Sequence, residues 1–218
     1  MSTRITLIHA TALSIKPIEA AFAAAWPEAE LVNLLEDSLS RDRAKTKDLS
    51  DAMYRRFETL GDYAASIGSD GILFTCSAFA QAIEKVQRKL PIPVLKPNEA
   101  LLEEALERGS HIAIIATFAP TIVSMTQEIK EMAAAKDIDL VLQTRHAAGA
   151  MEALDQGDAA THDRLIVEAA ADLSPDTDVI ILAQFSMARA QAKVAAAVAA
   201  PVLTTPEAAV KKLARLLR

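Results

Sequence analysis

The sequence predicts an α/β fold built from two copies of one unit, and three observations predict it. Short apolar, β-rich runs alternate with longer Ala/Leu/Glu-rich runs of helical period, the pattern of βαβ units around a mainly parallel sheet. A shift of 108 residues lays Asp70–Ala100 on Asp178–Ala208 without a gap, and 11 of these 31 positions are identical. At 218 residues and 51% hydrophobic content, the chain has ample apolar material for a core.

Taken in order, the strand patterns are Ile5–His9, Leu31–Leu35, Gly71–Thr75, Pro93–Lys96, His111–Thr117, Leu140–Thr144, Val179–Gln184 and Pro201–Thr205. Helical patterns fill the gaps: Ile15–Trp26, a long one over Asp42–Ile67, Phe79–Lys89, Asn98–Arg108, Thr121–Lys136, Asp158–Asp172, Met187–Val198 and Pro206–Leu217. Asn98 as N-cap and Gly109 just past the end give one helix both of its boundary signals. Eight strands fit two pseudo-symmetric, Rossmann-like halves, each a four-stranded, mainly parallel sheet flanked by helices. The boundaries expected are 1–97 plus 206–218 for the first half, with the last helix packing back on it, and 98–205 for the second. A cleft between such halves is the natural place for a ligand.

The repeat also aligns the chemistry. It lays Asp70 on Asp178, Lys85 on Lys193, and Pro93-Val94-Leu95 on Pro201-Val202-Leu203. Cys76, the only cysteine, falls on Gln184. Cys76 ends an apolar strand that turns into a helix. A side chain delivered there meets unpaired backbone N–H groups and a positive dipole end, which biases a thiol toward thiolate.

Composition excludes several classes. A formal charge of −6, with Lys and Arg dispersed among acids, argues against nucleic acid or an anionic membrane as partner. One cysteine excludes an intramolecular disulfide, and no apolar run approaches the ~20 residues of a membrane span. The N-terminus enters a strand with no signal-peptide h-region, so the expected location is cytoplasmic. Six glycines and no Gly-x-Gly-x-x-Gly or Walker loop leave little to cradle a dinucleotide or triphosphate. Neither a Gly-x-Ser-x-Gly elbow nor a metal-ligand cluster is present, so no metal and no cofactor are expected.

The duplicated architecture, the turn Phe74-Thr75-Cys76-Ser77-Ala78-Phe79, the following Pro91-Ile92-Pro93-Val94-Leu95, and Ile112-Ala113-Ile114-Ile115-Ala116-Thr117 opening the second half together resemble the aspartate/glutamate/hydantoin racemase superfamily. Arylmalonate decarboxylase and maleate isomerase are relatives within it. The resemblance implies a cofactor-independent isomerase or racemase acting next to the carboxylate of a small molecule, usually as a homodimer or higher oligomer. Its racemases use one cysteine from each half. The first matches Cys76; the second matches Gln184, whose amide neither takes nor gives a proton near neutral pH. Thr117 and Thr121, in Thr117-Phe118-Ala119-Pro120-Thr121, match the threonines that hold a substrate carboxylate. Such chemistry needs donors for an anion: the turns Cys76-Ser77-Ala78 and Gln184-Phe185-Ser186 offer backbone N–H groups at helix N-termini, Phe118 lies in a third such turn, His9 and Thr11 occupy the corresponding edge of the first half, and Asp37-Ser38 resembles a family loop near the cleft.

Three options follow from Gln184. His9, ending the first strand, or His146, past the sixth, offers an imidazole in place of the missing thiol. Alternatively Cys76 acts alone, protonating one face of an enediolate after decarboxylation, as in a decarboxylase or lyase, or adding to a double bond as a nucleophile. In the third option catalysis is lost and a carboxylate-binding protein remains. Each residue also has a plainer reading. A lone strand-end cysteine is often a small buried hydrophobe, and Thr117, Thr121, Ser77 and Ser186 are all types that cap helices. Phe79, Phe118, Phe185 and Met187 read as core or as pocket walls, His111 and His162 as surface residues, and Asp42–Lys47 as a solvated charged face.

Overall fold

The apolar runs form two parallel sheets in the computed structural model, which describes residues 2–46 and 48–218. Lys47, placed by the sequence within the long helix and the charged face, lies outside the described residues, as does Met1. The chain divides into two compact units, Met1–Glu99 with Ala209–Arg218 and Ala100–Ala208.

The first unit runs β1 (Arg4–His9), α1 (Ile15–Ala25), β2 (Glu30–Leu35), α2 (Ser38–Arg43), α3 (Asp51–Ser66), β3 (Gly71–Phe74), α4 (Ala80–Lys89) and β4 (Val94–Leu95). Its sheet has the order β2-β1-β3-β4 and every pairing is parallel. β3 is buried along its whole length, the signature of a strand covered on both faces, whereas edge strand β2 is partly exposed. Phe57 of α3 stacks on Phe74 and tilts against Phe79, at 5.2 and 4.8 Å between ring centroids. Such pairs contribute ~0.5–1.5 kcal/mol each beyond their buried area.

The second unit runs α5 (Glu99–Arg108), β5 (His111–Ala116), α6 (Ala119–Ala135), β6 (Val141–His146), α7 (Ala150–Asp155), α8 (Ala159–Ala171), β7 (Val179–Leu182), α9 (Gln191–Ala197), β8 (Val202–Thr204) and the start of α10 (Thr205–Leu217). Its sheet order, β6-β5-β7-β8, repeats that of the first. The register repeats too: Ile72 pairs with Val94 as Ile180 pairs with Val202, each position displaced by 108.

The repeated aspartates have a physical role in common. Asp70 Oδ2 accepts from the Arg4 N–H at 2.7 Å; Asp178 Oδ2 accepts from Ser110 and His111 N–H at 2.9 and 2.8 Å. Each carboxylate thereby satisfies backbone donors at the start of the strand beside it. Gly109 is needed here: a Cβ on it would lie 2.4 Å from the Asp178 side chain.

Three expectations are corrected. The long helix over Asp42–Ile67 is two helices, because the Ser50 hydroxyl accepts from Met53 N–H at 3.3 Å and starts α3 afresh. α7 lies in a stretch the sequence left without structure, opened by Gly149 at φ +79°. His162 is not at the surface but fully buried, its Nδ1 2.9 Å from Asp163 Oδ1. That carboxylate also receives Arg189 Nε at 2.9 Å and Lys193 Nζ at 2.8 Å, so its buried negative charge is compensated by cations.

Candidate active site

In the first unit, β3 delivers its carboxyl end to a short extended segment, Thr75-Cys76, followed by a 3-10 turn, Ser77–Phe79, and then α4. Consecutive extended residues point to opposite sides. Thr75 is buried among polar partners, while Cys76, Ser77 and Ala78 are partly exposed. Cys76 and Ala78 pack against an apolar cluster that includes Ala10, Leu39 and Phe79.

Burial pushes the Cys76 thiol above its ordinary value of 9.0, and the Ala78 N–H and the nearby Arg43 charge offset only part of that rise. The expected bias toward thiolate is therefore reversed in the free protein. The reason is structural: apolar packing surrounds the sulfur, and a single 3-10 turn supplies fewer aligned peptide dipoles than the first turns of a long helix.

His9, at the end of β1, is fully buried and occupied at both ring nitrogens. Nδ1 lies 2.9 Å from Ser14 Oγ and 2.8 Å from Thr75 Oγ1; Nε2 lies 2.9 Å from Asn33 Oδ1. An amide oxygen only accepts, so Nε2 carries the proton in the neutral ring and Nδ1 accepts from a hydroxyl. Burial holds the His9 pKa below 6.5, against smaller opposing effects of Asn33 and Glu19. The ring thus ties β1, β2 and the Thr75-Cys76 segment together. Thr11 stands at the adjoining 3-10 turn, where its hydroxyl accepts from Leu13 N–H at 3.4 Å.

The loop after β2 brings in a residue that the sequence assigned to solvent. Leu39 is buried and Ser40 Oγ donates to the Ala10 carbonyl at 2.6 Å, which docks α2 beside the Cys76 turn. Arg43 then donates from Nε to the Ala78 carbonyl at 3.2 Å. Asp37 pairs with Arg41 at 3.0 Å, and Ser38 Oγ donates to Glu36 Oε1 at 2.6 Å; Arg56 bonds Glu36, Ser38 and Asp42. Nothing in the local pattern marked Arg43, Ser14 or Asn33, since each acts through tertiary contacts.

The second unit brings Thr117 and Gln184 together at the carboxyl ends of β5 and β7. Gln184 Oε1 accepts from Thr117 N–H at 2.6 Å and from the Thr117 hydroxyl at 3.0 Å. Two donors on one oxygen fix the amide orientation and turn its NH2 group away from Thr117. His146, exposed at the end of β6, has Nε2 3.4 Å from the Thr117 carbonyl. Phe118 occupies the N-cap position of α6 with no side-chain cap bond, and its carbonyl accepts from Thr121 N–H at 3.0 Å. Neither threonine hydroxyl caps that helix in the usual way. Thr121 and Phe185 are buried, whereas Phe118, Gln184 and Ser186 are partly exposed. Phe79 and Met187 are core.

Duplicated four-stranded parallel sheets with strand ends bearing a thiol in one unit and an amide in the other define an α/β protein of racemase architecture. Glutamate racemase from Bacillus anthracis aligns with a TM-score of 0.77 at 13% identity, over 99% of this chain and 81% of that one. Aspartate racemase from Picrophilus torridus aligns at 0.76 and 14%, over 98% and 95%. Allantoin racemase from Klebsiella pneumoniae aligns at 0.69 and 19%, over 99% and 87%. A family model described as Asp/Glu/Hydantoin racemase matches residues 6–213, and the chain belongs to that family. No curated protein matches by sequence. Membership supports an enzyme of the racemase superfamily. Among the described residues no helix is long and apolar enough to cross a membrane, and no group of three or more His, Cys, Asp and Glu is disposed to hold a metal ion.

Proposed function

We propose that the protein is a cofactor-independent isomerase or racemase that acts on the carbon next to a small-molecule carboxylate, with Cys76 as its one proton-transferring thiol. The observation that carries this reading is the Cys76 thiol at the carboxyl end of β3, on a partly exposed residue and receiving the Ala78 N–H, in a chain of the racemase family. As thiolate, Cys76 takes the α-hydrogen as a proton and leaves an enediolate carrying one more negative charge; a change of configuration then takes its proton from an acid on the opposite face, a role this reading gives to the His146 imidazole beside Thr117, and the reverse reaction runs the same two transfers backward, with Cys76 as the thiol donor. Backbone N–H groups and fixed side-chain donors stabilise that charge. In this reading Gln184 serves as such a donor through its NH2 group, while Thr117, Thr121, Ser77, Ser186 and Thr11 contribute polar contacts to the substrate. His9 is the positioning residue behind Thr75-Cys76.

A second reading, a decarboxylase of the same superfamily, is favoured by one observation: the position equivalent to Cys76 is an amide held by Thr117, so proton transfer is one-sided. Chiral analysis of a panel of α-substituted carboxylates and malonates separates the readings. An isomerase changes configuration and releases no carbon dioxide; a lyase releases it and leaves one enantiomer. A protein that binds the panel and turns over none of it is the carboxylate-binding protein, and overturns both.

A further inference from the structure

We propose that Arg43 is the positioning residue of the Cys76 thiol, its guanidinium bracing the turn that carries the sulfur and supplying the positive charge that the thiolate requires. The inference rests on Cys76 as the reactive group and concerns what makes it one.

The geometry has two parts. Arg43 is half-buried at the end of α2, donating from Nε to the Ala78 carbonyl at 3.2 Å and from Nη1 to the Thr46 carbonyl at 2.6 Å. Ala78 is also the residue whose N–H serves the Cys76 sulfur. Arg43 therefore holds Ala78 from its carbonyl side while the N–H stays on the sulfur. The docking of α2 through Leu39 and Ser40 makes this hold part of the fold rather than a chance surface contact.

The second part is charge. On the surrounding elements Arg41 pairs with Asp37, Lys45 and Arg56 with Asp42, Arg56 with Glu36, and Lys96 with Glu84. Arg43, held against the turn through the Ala78 carbonyl, brings a further positive charge to it, and that charge attracts the sulfur. A desolvated thiol needs such a partner, since an opposite charge nearby favours the ionised form by roughly 1–3 pK units.

The test needs no substrate. Cys76 is the only thiol, so the pH dependence of its alkylation by iodoacetamide reads its ionisation without background. Arg43→Gln should move the midpoint upward by about one unit, slowing alkylation below the midpoint about tenfold, and Arg43→Lys should move it less. Raising sodium chloride from ~0.05 to ~1 M should move the wild-type midpoint up, because the attraction is screened, and leave Arg43→Gln in place. A folded Arg43→Gln variant with the wild-type midpoint overturns the inference. If that variant fails to fold, a wild-type midpoint indifferent to salt overturns it, and a salt-dependent one supports it. A wild type that shows the Arg43 effect but turns over no carboxylate sinks the proposed function and leaves this inference standing.

Discussion

Gln184 and Thr117 form a closed pair: one amide oxygen accepts both the backbone N–H and the hydroxyl of the same residue, at 2.6 and 3.0 Å. The side chain that the 108-residue repeat aligns with Cys76 is thus held by its oxygen, which leaves its NH2 group as the donor. Gln184→Glu keeps the acceptor oxygen and replaces the NH2 group with negative charge. Its expected effect is a KM for the carboxylate substrate raised about tenfold or more, from repulsion and a lost donor. Gln184→Ala should instead leave the Thr117 donors unpaired and lower stability by about 1–3 kcal/mol. Steady-state kinetics and urea unfolding check the two effects separately.

His9 predicts a pH signature. Its folded pKa lies below the unfolded value of 6.5, so the unfolded chain binds the proton first. The stability conferred by the neutral buried ring is complete above pH 6.5 and is lost as pH falls from there toward the folded value. The urea midpoint of the wild type should drop between about pH 7.5 and 5.5, and His9→Gln should remove that part of the slope. His9→Ala strands Thr75, Ser14 and Asn33 and should cost roughly 2–4 kcal/mol.

Asp163 is the buried counter-charge of the second unit. Burial pushes its carboxyl up, but bonds from Lys193, His162 and Arg189 outweigh this and leave it below the ordinary value of 3.8. Asp163→Ala leaves buried His162 and two cations without their acceptor, and about 3 kcal/mol of stability should go with it. Thermal unfolding monitored by circular dichroism measures the loss.

Asp178 offers a prediction at an exposed residue. Its carboxyl is held below 3.8 by the His111 and Ser110 N–H groups. Asp178→Ala should lower the melting temperature at pH 7, and the difference from wild type should shrink as pH falls through the folded pKa, where the wild-type carboxyl also protonates. Melting curves at pH 7 and pH 3 make the comparison.

Much of the fold was readable from residue order because it rests on local period and repetition. Pro93-Val94-Leu95 and its copy at 201–203 become equivalent edge strands, and Asp70 and Asp178 repeat because both satisfy the start of a neighbouring strand. Helix boundaries were less legible. The stretch from 42 to 67 has helical composition throughout, and only the Ser50 hydroxyl's bond to Met53 decides that a new helix begins. Cys76 and Gln184 stood out by alignment of the two halves. Arg43 and the partners of His9 did not, because their roles depend on α2, β1 and β2 converging on one turn, which no spacing encodes. The thiol's pKa direction went the same way: sequence places a sulfur near N–H groups, but only packing reveals how strongly it is desolvated.

The central claim is that Cys76 moves the proton next to the carboxylate. The direct measurement is deuterium incorporation at that carbon in heavy water, for wild type and Cys76→Ser side by side on any carboxylate the protein accepts. The account predicts exchange in the wild type and a loss of about 100-fold or more in Cys76→Ser; equal exchange in the two proteins would contradict it.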